Sequence, residues 1–212
     1  MSYESVKLDV DGIFGDKYLN KLYFPEKTEK PFIINDFQEI KTISSSRHKV
    51  KMFYYKPFSL FIAAKLIAYS SSSQDKAEKE KLRHLMREAK NFRDLENFEN
   101  IVTFYGLCVV KNDAWICMEL MDISLTDLYK EFHNPRDPPK TLETAKFPEE
   151  ILGNITVRIL DALIYCKSKN IIHRDVKPHN ILLNRKGQIK LCDFGVSRIL
   201  ESKNHSKFPN FF

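Results

Sequence analysis

The residues with the most chemical potential lie between positions 173 and 195. The octapeptide His173-Arg174-Asp175-Val176-Lys177-Pro178-His179-Asn180 is followed by Asp193-Phe194-Gly195, with Asp193 thirteen residues after Asn180. These residue types at this spacing fit phosphoryl transfer. One carboxylate, Asp175, can accept a hydroxyl proton and orient the attacking oxygen. Lys177 can offset charge on the transferring group. The amide oxygen of Asn180 and the second carboxylate, Asp193, are hard donors able to hold magnesium against phosphates. A chance polar turn explains neither the joint occurrence of the two motifs nor their strand context.

The elements that must position these groups follow from periodicity. Ile40–Ile43 and Val50–Tyr55 predict paired strands around a polar loop, and Phe58–Ala68 a third strand. The serines at 70–73 read as a linker. Asp75, with Glu78 three residues on, predicts the cap of a helix whose apolar stripe is Leu82, Leu85, Met86, Ala89 and Phe92. Glu88 falls on that apolar face, where a lone carboxylate is costly, so a cationic partner is expected across the packing interface. Ile101–Val110 and Trp115–Leu120 predict a hairpin, and Ser124–Phe132 a short helix capped by Ser124 with Asp127. Residues 133–147 read as a Pro-rich loop. Pro148 starts a long helix over 149–168 with the expected buried stripe Ile151, Ile155, Ile159 and Leu163. Ile181–Leu183 and Gln188–Leu191 predict a further hairpin with Gly187 in its turn. The order of elements implies an α+β protein of two lobes.

Composition narrows the class. The chain has 212 residues, 43% hydrophobic and 29% charged, which is ordinary for a globular protein. The net charge of +6 is spread along the chain without a block of five like charges, so a nucleic-acid partner is not expected. Cys108, Cys117, Cys166 and Cys192 are scattered and form no Cys-x-x-Cys, which argues against zinc and for a reducing compartment. The apolar run from Phe58 to Tyr69 is too short to span a bilayer and contains Lys65, so no membrane association is expected. A cytoplasmic location, with the nucleus also open, follows.

With these residues in view, the segment from 36 to about 202 resembles the eukaryotic protein kinase family. The resemblance implies a bilobal kinase-like fold: a five-stranded N-lobe sheet with one helix, plus an incomplete helical C-lobe. Lys65, in Ile62-Ala63-Ala64-Lys65, sits where the family has its third-strand lysine, and Glu88 where it has the helix glutamate that pairs with it. By the same resemblance Asp175 is the catalytic base, Lys177 the phosphate-contacting lysine, and Asn180 and Asp193 the magnesium ligands. Lysine two after the aspartate looks like the serine/threonine-type loop. Val102–Gly106, Trp115–Asp122, Ile172–Pro178 and Ile189–Ser197 look like a mitogen-activated protein kinase kinase of the stress-pathway branch. The implied cofactors are ATP and Mg2+. The implied partners are a downstream MAP kinase, phosphorylated on threonine and tyrosine, and an upstream MAP kinase kinase kinase. Met118 would be the gatekeeper, and Glu119–Met121 would offer backbone groups to adenine. Phe92, Phe104, His173 and Phe194 would form a stacked spine. Met118, Trp115 and the spine residues also read as plain core.

The chain departs from the family pattern in two places. The glycine-rich loop, G-x-G-x-x-G-x-V in the family, corresponds to Ser44-Ser45-Ser46-Arg47-His48-Lys49-Val50-Lys51. Ser44, Ser46 and Lys49 replace the glycines, and either Lys51 or Val50 takes the place of the valine. Only six glycines occur in the whole chain, none between 16 and 105. The second departure is at the C-terminal end, where the A-P-E motif and later helices are not found before Phe212. Ser202 and Ser206 have the spacing of activating phosphosites, one residue out of register. A weak docking-like pattern, Lys17, Lys21, Leu22 and Phe24, lies in the first 31 residues.

The expected organisation is a leader over 1–31, a kinase N-lobe over 32–121, and a partial C-lobe over 122–212 ending in the activation segment. The expected function is an ATP-dependent, dual-specificity protein kinase of the MAP kinase kinase type. The departures keep an alternative open: a catalytically impaired nucleotide- or kinase-binding module, or an inactive truncated product.

Overall fold

The computed structural model describes residues 19–25, 28–44, 49–68, 76–95, 98–110, 113–133 and 147–200. The chain divides into two compact units, Met1–Asn97 with Val102–Met121, and Phe98–Ile101 with Asp122–Phe212.

The first unit is built on a sheet whose strands run antiparallel in the order β3-β4-β5-β7-β6. They are β3 (Phe37–Ser44), β4 (Lys49–Tyr55), β5 (Leu60–Ala68), β6 (Phe104–Val110) and β7 (Asp113–Glu119). They are preceded by a short hairpin, β1 (Lys21–Tyr23) with β2 (Glu29–Pro31), and helix α1 (Lys76–Asp94) separates β5 from β6. β5 begins at Leu60 rather than Phe58, because Lys56–Phe58 form a tight turn closed by Ser59 at φ 48°. β6 likewise begins at Phe104. Register sorts the side chains. Val50 lies opposite Lys65, Lys65 opposite Ile116, and Ala63 opposite both Met52 and Met118. Opposed residues share a face, so these six occupy one side of the sheet. Phe53, Tyr55, Ile62, Ala64, Trp115 and Cys117 occupy the other side and are buried there.

The described part of the leader expected over 1–31, residues 19–25 and 28–31, is not separate from this unit. Leu22 and Phe24 are buried in one cluster with Phe37, Phe53, Tyr55 and Trp115. The Asn20 N–H donates to the Leu107 carbonyl at 3.0 Å, and Asn20 Oδ1 accepts the Val109 N–H at 2.7 Å. The reason is burial: the sheet face opposite Lys65 is aromatic, and β1 and β2 help to cover it. Gly106 permits the close approach, since a Cβ there would collide with the Lys21 carbonyl oxygen and sit 3.3 Å from Leu22 Cδ2.

In α1, Leu85, Met86, Ala89 and Phe92 are buried, and the Phe92 and Phe104 rings meet edge to face at 5.6 Å. Asp75 lies outside the described residues, as do Ser46, Ser202, Ser206 and Lys17, the serine linker and most of the Pro-rich loop.

The second unit contains β8 (Ile123–Ser124), α2 (Leu125–Phe132), α3 (Glu149–Ser168), β9 (Ile171–Ile172), β10 (Ile181–Leu183), β11 (Ile189–Leu191) and β12 (Arg198–Ile199). Its sheets are β11-β10-β8 and β12-β9, both antiparallel. Ser124 caps α2, its Oγ accepting the Asp127 N–H at 3.1 Å. Gly187 turns the β10–β11 hairpin at φ +78°. α3 follows Pro148, with Glu149 and Glu150 in its first turn and Lys167 in its last, the arrangement favoured by the helix dipole. Its buried face is Ile155, Ile159, Ala162 and Cys166. This corrects the expected stripe: Ile151 is 42% exposed and Leu163 only half-buried. α3 is apolar nearly all round, so periodicity alone does not select the face that meets β9 and β11. No described helix is long and apolar enough to cross a membrane.

Candidate active site

The chemistry-bearing residues are divided between the two units. In the first, β5 carries Lys65 on the sheet face shared with Val50, Ala63 and Met118. α1 carries Glu88 on its buried side. Lys65 Nζ lies 2.7 Å from Glu88 Oε1, with side chains 7% and 9% exposed. The cation that the buried carboxylate requires is therefore Lys65. Met118 is half-buried at the end of β7. The Glu119 N–H is already engaged by the Thr103 carbonyl at 3.0 Å, and Glu119 Oε1 accepts the Thr103 N–H. Met121 is buried.

Register also decides which residue follows the glycine-poor loop on the lysine face. Val50 is opposite Lys65. Lys51 faces the other side of the sheet, where it is ion-paired with Glu39. Val50 and Ala63 thus form an apolar surface beside Lys65. Ala63 was not singled out from sequence, although two-residue alternation back from Lys65 identifies it.

The second unit holds the loop between β9 and β10. His173 is buried, and its ring meets Phe194 edge to face at 4.7 Å. His173 Nε2 bonds to the Cys192 carbonyl at 3.0 Å, and the Asp175 N–H donates to Nδ1 at 3.2 Å. These two bonds assign the proton to Nε2. Burial pulls the imidazole below its usual pKa, against the opposing effects of the Cys192 bond, Asp193 and Asp175, so the ring stays neutral.

Asp175 is half-buried and its Oδ2 accepts from Lys177 Nζ at 2.6 Å. Asn180 Nδ2 donates to the Asp175 carbonyl at 2.8 Å and to Oδ2 at 3.0 Å. The Lys177 bond, seconded by Asn180, holds the carboxyl below the ordinary aspartate range. Asn180 is itself buried, and its own carbonyl accepts the Cys192 N–H at 2.9 Å, which sets Asp193 one residue from that contact. Asp193 takes a left-handed conformation, φ 63°, and its Oδ1 accepts the Gly195 N–H at 3.4 Å. Arg174, also at positive φ (68°), donates from Nε to the Val196 carbonyl and ties the loop to the segment after Asp193. Its role was not apparent from its place in the motif.

The donor set suits magnesium. Asn180 spends its NH2 on Asp175, which leaves Oδ1 as the amide's oxygen donor; Asp193 adds a carboxylate. Among the described residues no group of three or more His, Cys, Asp or Glu could hold a metal. Magnesium at phosphates is commonly held by one or two protein oxygens and completed by phosphate and water.

Comparison with known proteins follows the same lines. The family model described as protein kinase domain matches residues 26–211. The chain is 46% identical to the MAP kinase kinase mkk-4 of Caenorhabditis elegans over 118 residues, 55% of this chain and 31% of that protein. It is 35% identical to the dual specificity mitogen-activated protein kinase kinase sek-1 of the same organism over 149 residues, 70% of this chain and 40% of that one. It is 45% identical to the dual specificity mitogen-activated protein kinase kinase hemipterous of Drosophila melanogaster over 109 residues, 50% of this chain and 8% of that one. The chain thus matches less than half the length of each of these relatives. With its motifs, its five-stranded sheet and a family match over most of its length, the chain belongs to the protein kinase family and is similar to the MAP kinase kinases.

Proposed function

We propose that this chain transfers the γ-phosphoryl group of magnesium-ATP to hydroxyls of a MAP kinase, on threonine and tyrosine, under the control of an upstream kinase. The observation that carries the reading is the Asp175 carboxylate held by both Lys177 and Asn180. Its low basicity means that it cannot strip an alcohol in the ground state. It orients the hydroxyl and takes the proton only as the oxygen bonds to phosphorus. Lys177 is placed to follow the charge from the carboxylate to the transferring group. Lys65, held by Glu88, supplies a fixed cation for phosphate oxygens. Asn180 and Asp193 would hold magnesium, which when bound neutralises phosphate charge. Val50, Ala63 and Met118 would form the apolar surface for adenine.

The serines and lysine in place of the loop glycines favour a second reading, a nucleotide-binding module with little transfer. Melting with and without magnesium-ATP, run beside a transfer assay on a MAP kinase, separates the two. A rise in Tm with transfer supports the first reading; a rise without transfer supports the second; no rise contradicts both.

A further inference from the structure

The residue before Asn180 ties the loop between β9 and β10 to helix α2. Thr126 Oγ1 and His179 Nδ1 lie 3.0 Å apart, a side-chain hydrogen bond between residues 53 positions apart in the chain. Neither residue takes part in the transfer chemistry assigned to the loop. We propose that His179 is a positioning residue: its bond to Thr126 holds the Pro178–Asn180 turn so that Asn180 keeps the Asp175 carboxylate oriented. The proposal rests on the phosphoryl-transfer reading of this loop.

Strand register explains why a side-chain bond falls at this place. β8 pairs with β10 through Ser124 opposite Leu182 and Ile123 opposite Leu183. Two residues further, the same register would set Thr126 opposite Asn180. Backbone pairing stops short of that step because both strands give way to turns. Ser124 caps α2, its Oγ accepting the Asp127 N–H, and Pro178–Asn180 form a single 3-10 turn. Two backbone bonds close that turn: the Asn180 N–H to the Lys177 carbonyl at 2.9 Å, and the Ile181 N–H to the Pro178 carbonyl. Both run along the loop, and neither ties it to α2. Pro178 has no N–H to offer, and the bond geometry of a 3-10 turn is poor. Thr126 stands in the first turn of α2, which the Ser124 cap fixes, so its hydroxyl is a firm anchor. His179 carries that restraint to the next residue, Asn180, whose amide donates to both the carbonyl and Oδ2 of Asp175. The Asn180 carbonyl is held separately by the Cys192 N–H. Loss of the His179 bond therefore loosens the turn without releasing the loop. The slack passes to the Asp175 carboxylate, whose orientation matters most as the attacking oxygen bonds to phosphorus, so the cost falls on kcat rather than on the KM for ATP.

The test uses the full chain and two readouts: steady-state transfer from magnesium-ATP to a MAP kinase at saturating magnesium, and NMR-detected exchange of the Asn180 amide. His179→Ala and Thr126→Val should each lower kcat about three- to tenfold, the worth of one neutral hydrogen bond, with the KM for ATP and the far-UV spectrum unchanged. The double variant should be no slower than either single one, because both remove the same bond. Thr126→Ser, which keeps the hydroxyl, and His179→Asn, whose amide can reach it, should restore most of the rate. The Asn180 amide should exchange about three- to tenfold faster in His179→Ala and Thr126→Val, and at the wild-type rate in Thr126→Ser. The proposal is overturned by an unchanged kcat in either single variant, by effects that multiply in the double variant, by a Thr126→Ser as slow as Thr126→Val, or by unchanged Asn180 exchange. A wild type that transfers no phosphoryl group contradicts the functional reading and the catalytic role of His179 with it; faster Asn180 exchange in the two variants would then still support the clamp on the turn.

Discussion

Lys65 Nζ and Glu88 Oε1 meet at 2.7 Å with both side chains more than nine-tenths buried. A charged pair this far from water stabilises the protein only while both members are present. Lys65→Met removes the cation paired with a buried carboxylate and should cost about 3–5 kcal/mol. Lys65→Met with Glu88→Leu should recover most of that loss. Urea denaturation of the single and double variants measures both, and a Lys65→Met protein as stable as wild type would contradict the pairing.

Gly106 admits the backbone of β1. Gly106→Ala should cost about 1–3 kcal/mol by overpacking. It should also speed hydrogen exchange at Leu22 and Phe24, since the added Cβ strikes the Lys21 carbonyl. Unchanged exchange there would mean that the hairpin does not depend on this contact.

Burial lowers the pKa of His173 in the folded protein, where Asp175, Asp193 and Lys177 are the charged groups acting on it. The unfolded chain therefore takes up its proton first as pH falls below the ordinary histidine value of about 6.5. The histidine's contribution is complete above that pH and is lost as pH falls toward the folded pKa. Melting curves from pH 8 to 5 should show this decline in wild type and a shallower one in His173→Phe, which lacks the titrating ring. Equal slopes would show that the stability decline does not come from His173.

Lys177 is the first cause of the low basicity of Asp175. Removing it in Lys177→Met should move the Asp175 carboxyl up toward the ordinary aspartate value of about 3.9, with Asn180 still holding it partly down. Carboxyl-carbon NMR titration reads the change directly. No upward movement would assign the effect to Asn180 instead.

The phosphoryl-transfer motifs and the sheet that carries Lys65 were legible in the sequence because each depends on local order: fixed spacing, two-residue alternation in β5, helical spacing around Glu88. Other features depend on what packs against what. β1 and β2 are three residues each, too short for a periodic signal, and the burial of Leu22 and Phe24 comes from the aromatic sheet face they cover. α3 is apolar on several sides, so its inward face is chosen by neighbours rather than by its own pattern. The choice between Val50 and Lys51 turned on strand register, which pairing with Lys65 decides.

The most direct test of the central claim is the rate of γ-phosphoryl transfer from magnesium-ATP to a MAP kinase by this chain and by Asp175→Asn under identical conditions. The account predicts measurable transfer by the wild type and a loss of about 10²–10⁴-fold in the variant, with folding unchanged by circular dichroism. Equal rates for the two proteins would contradict it.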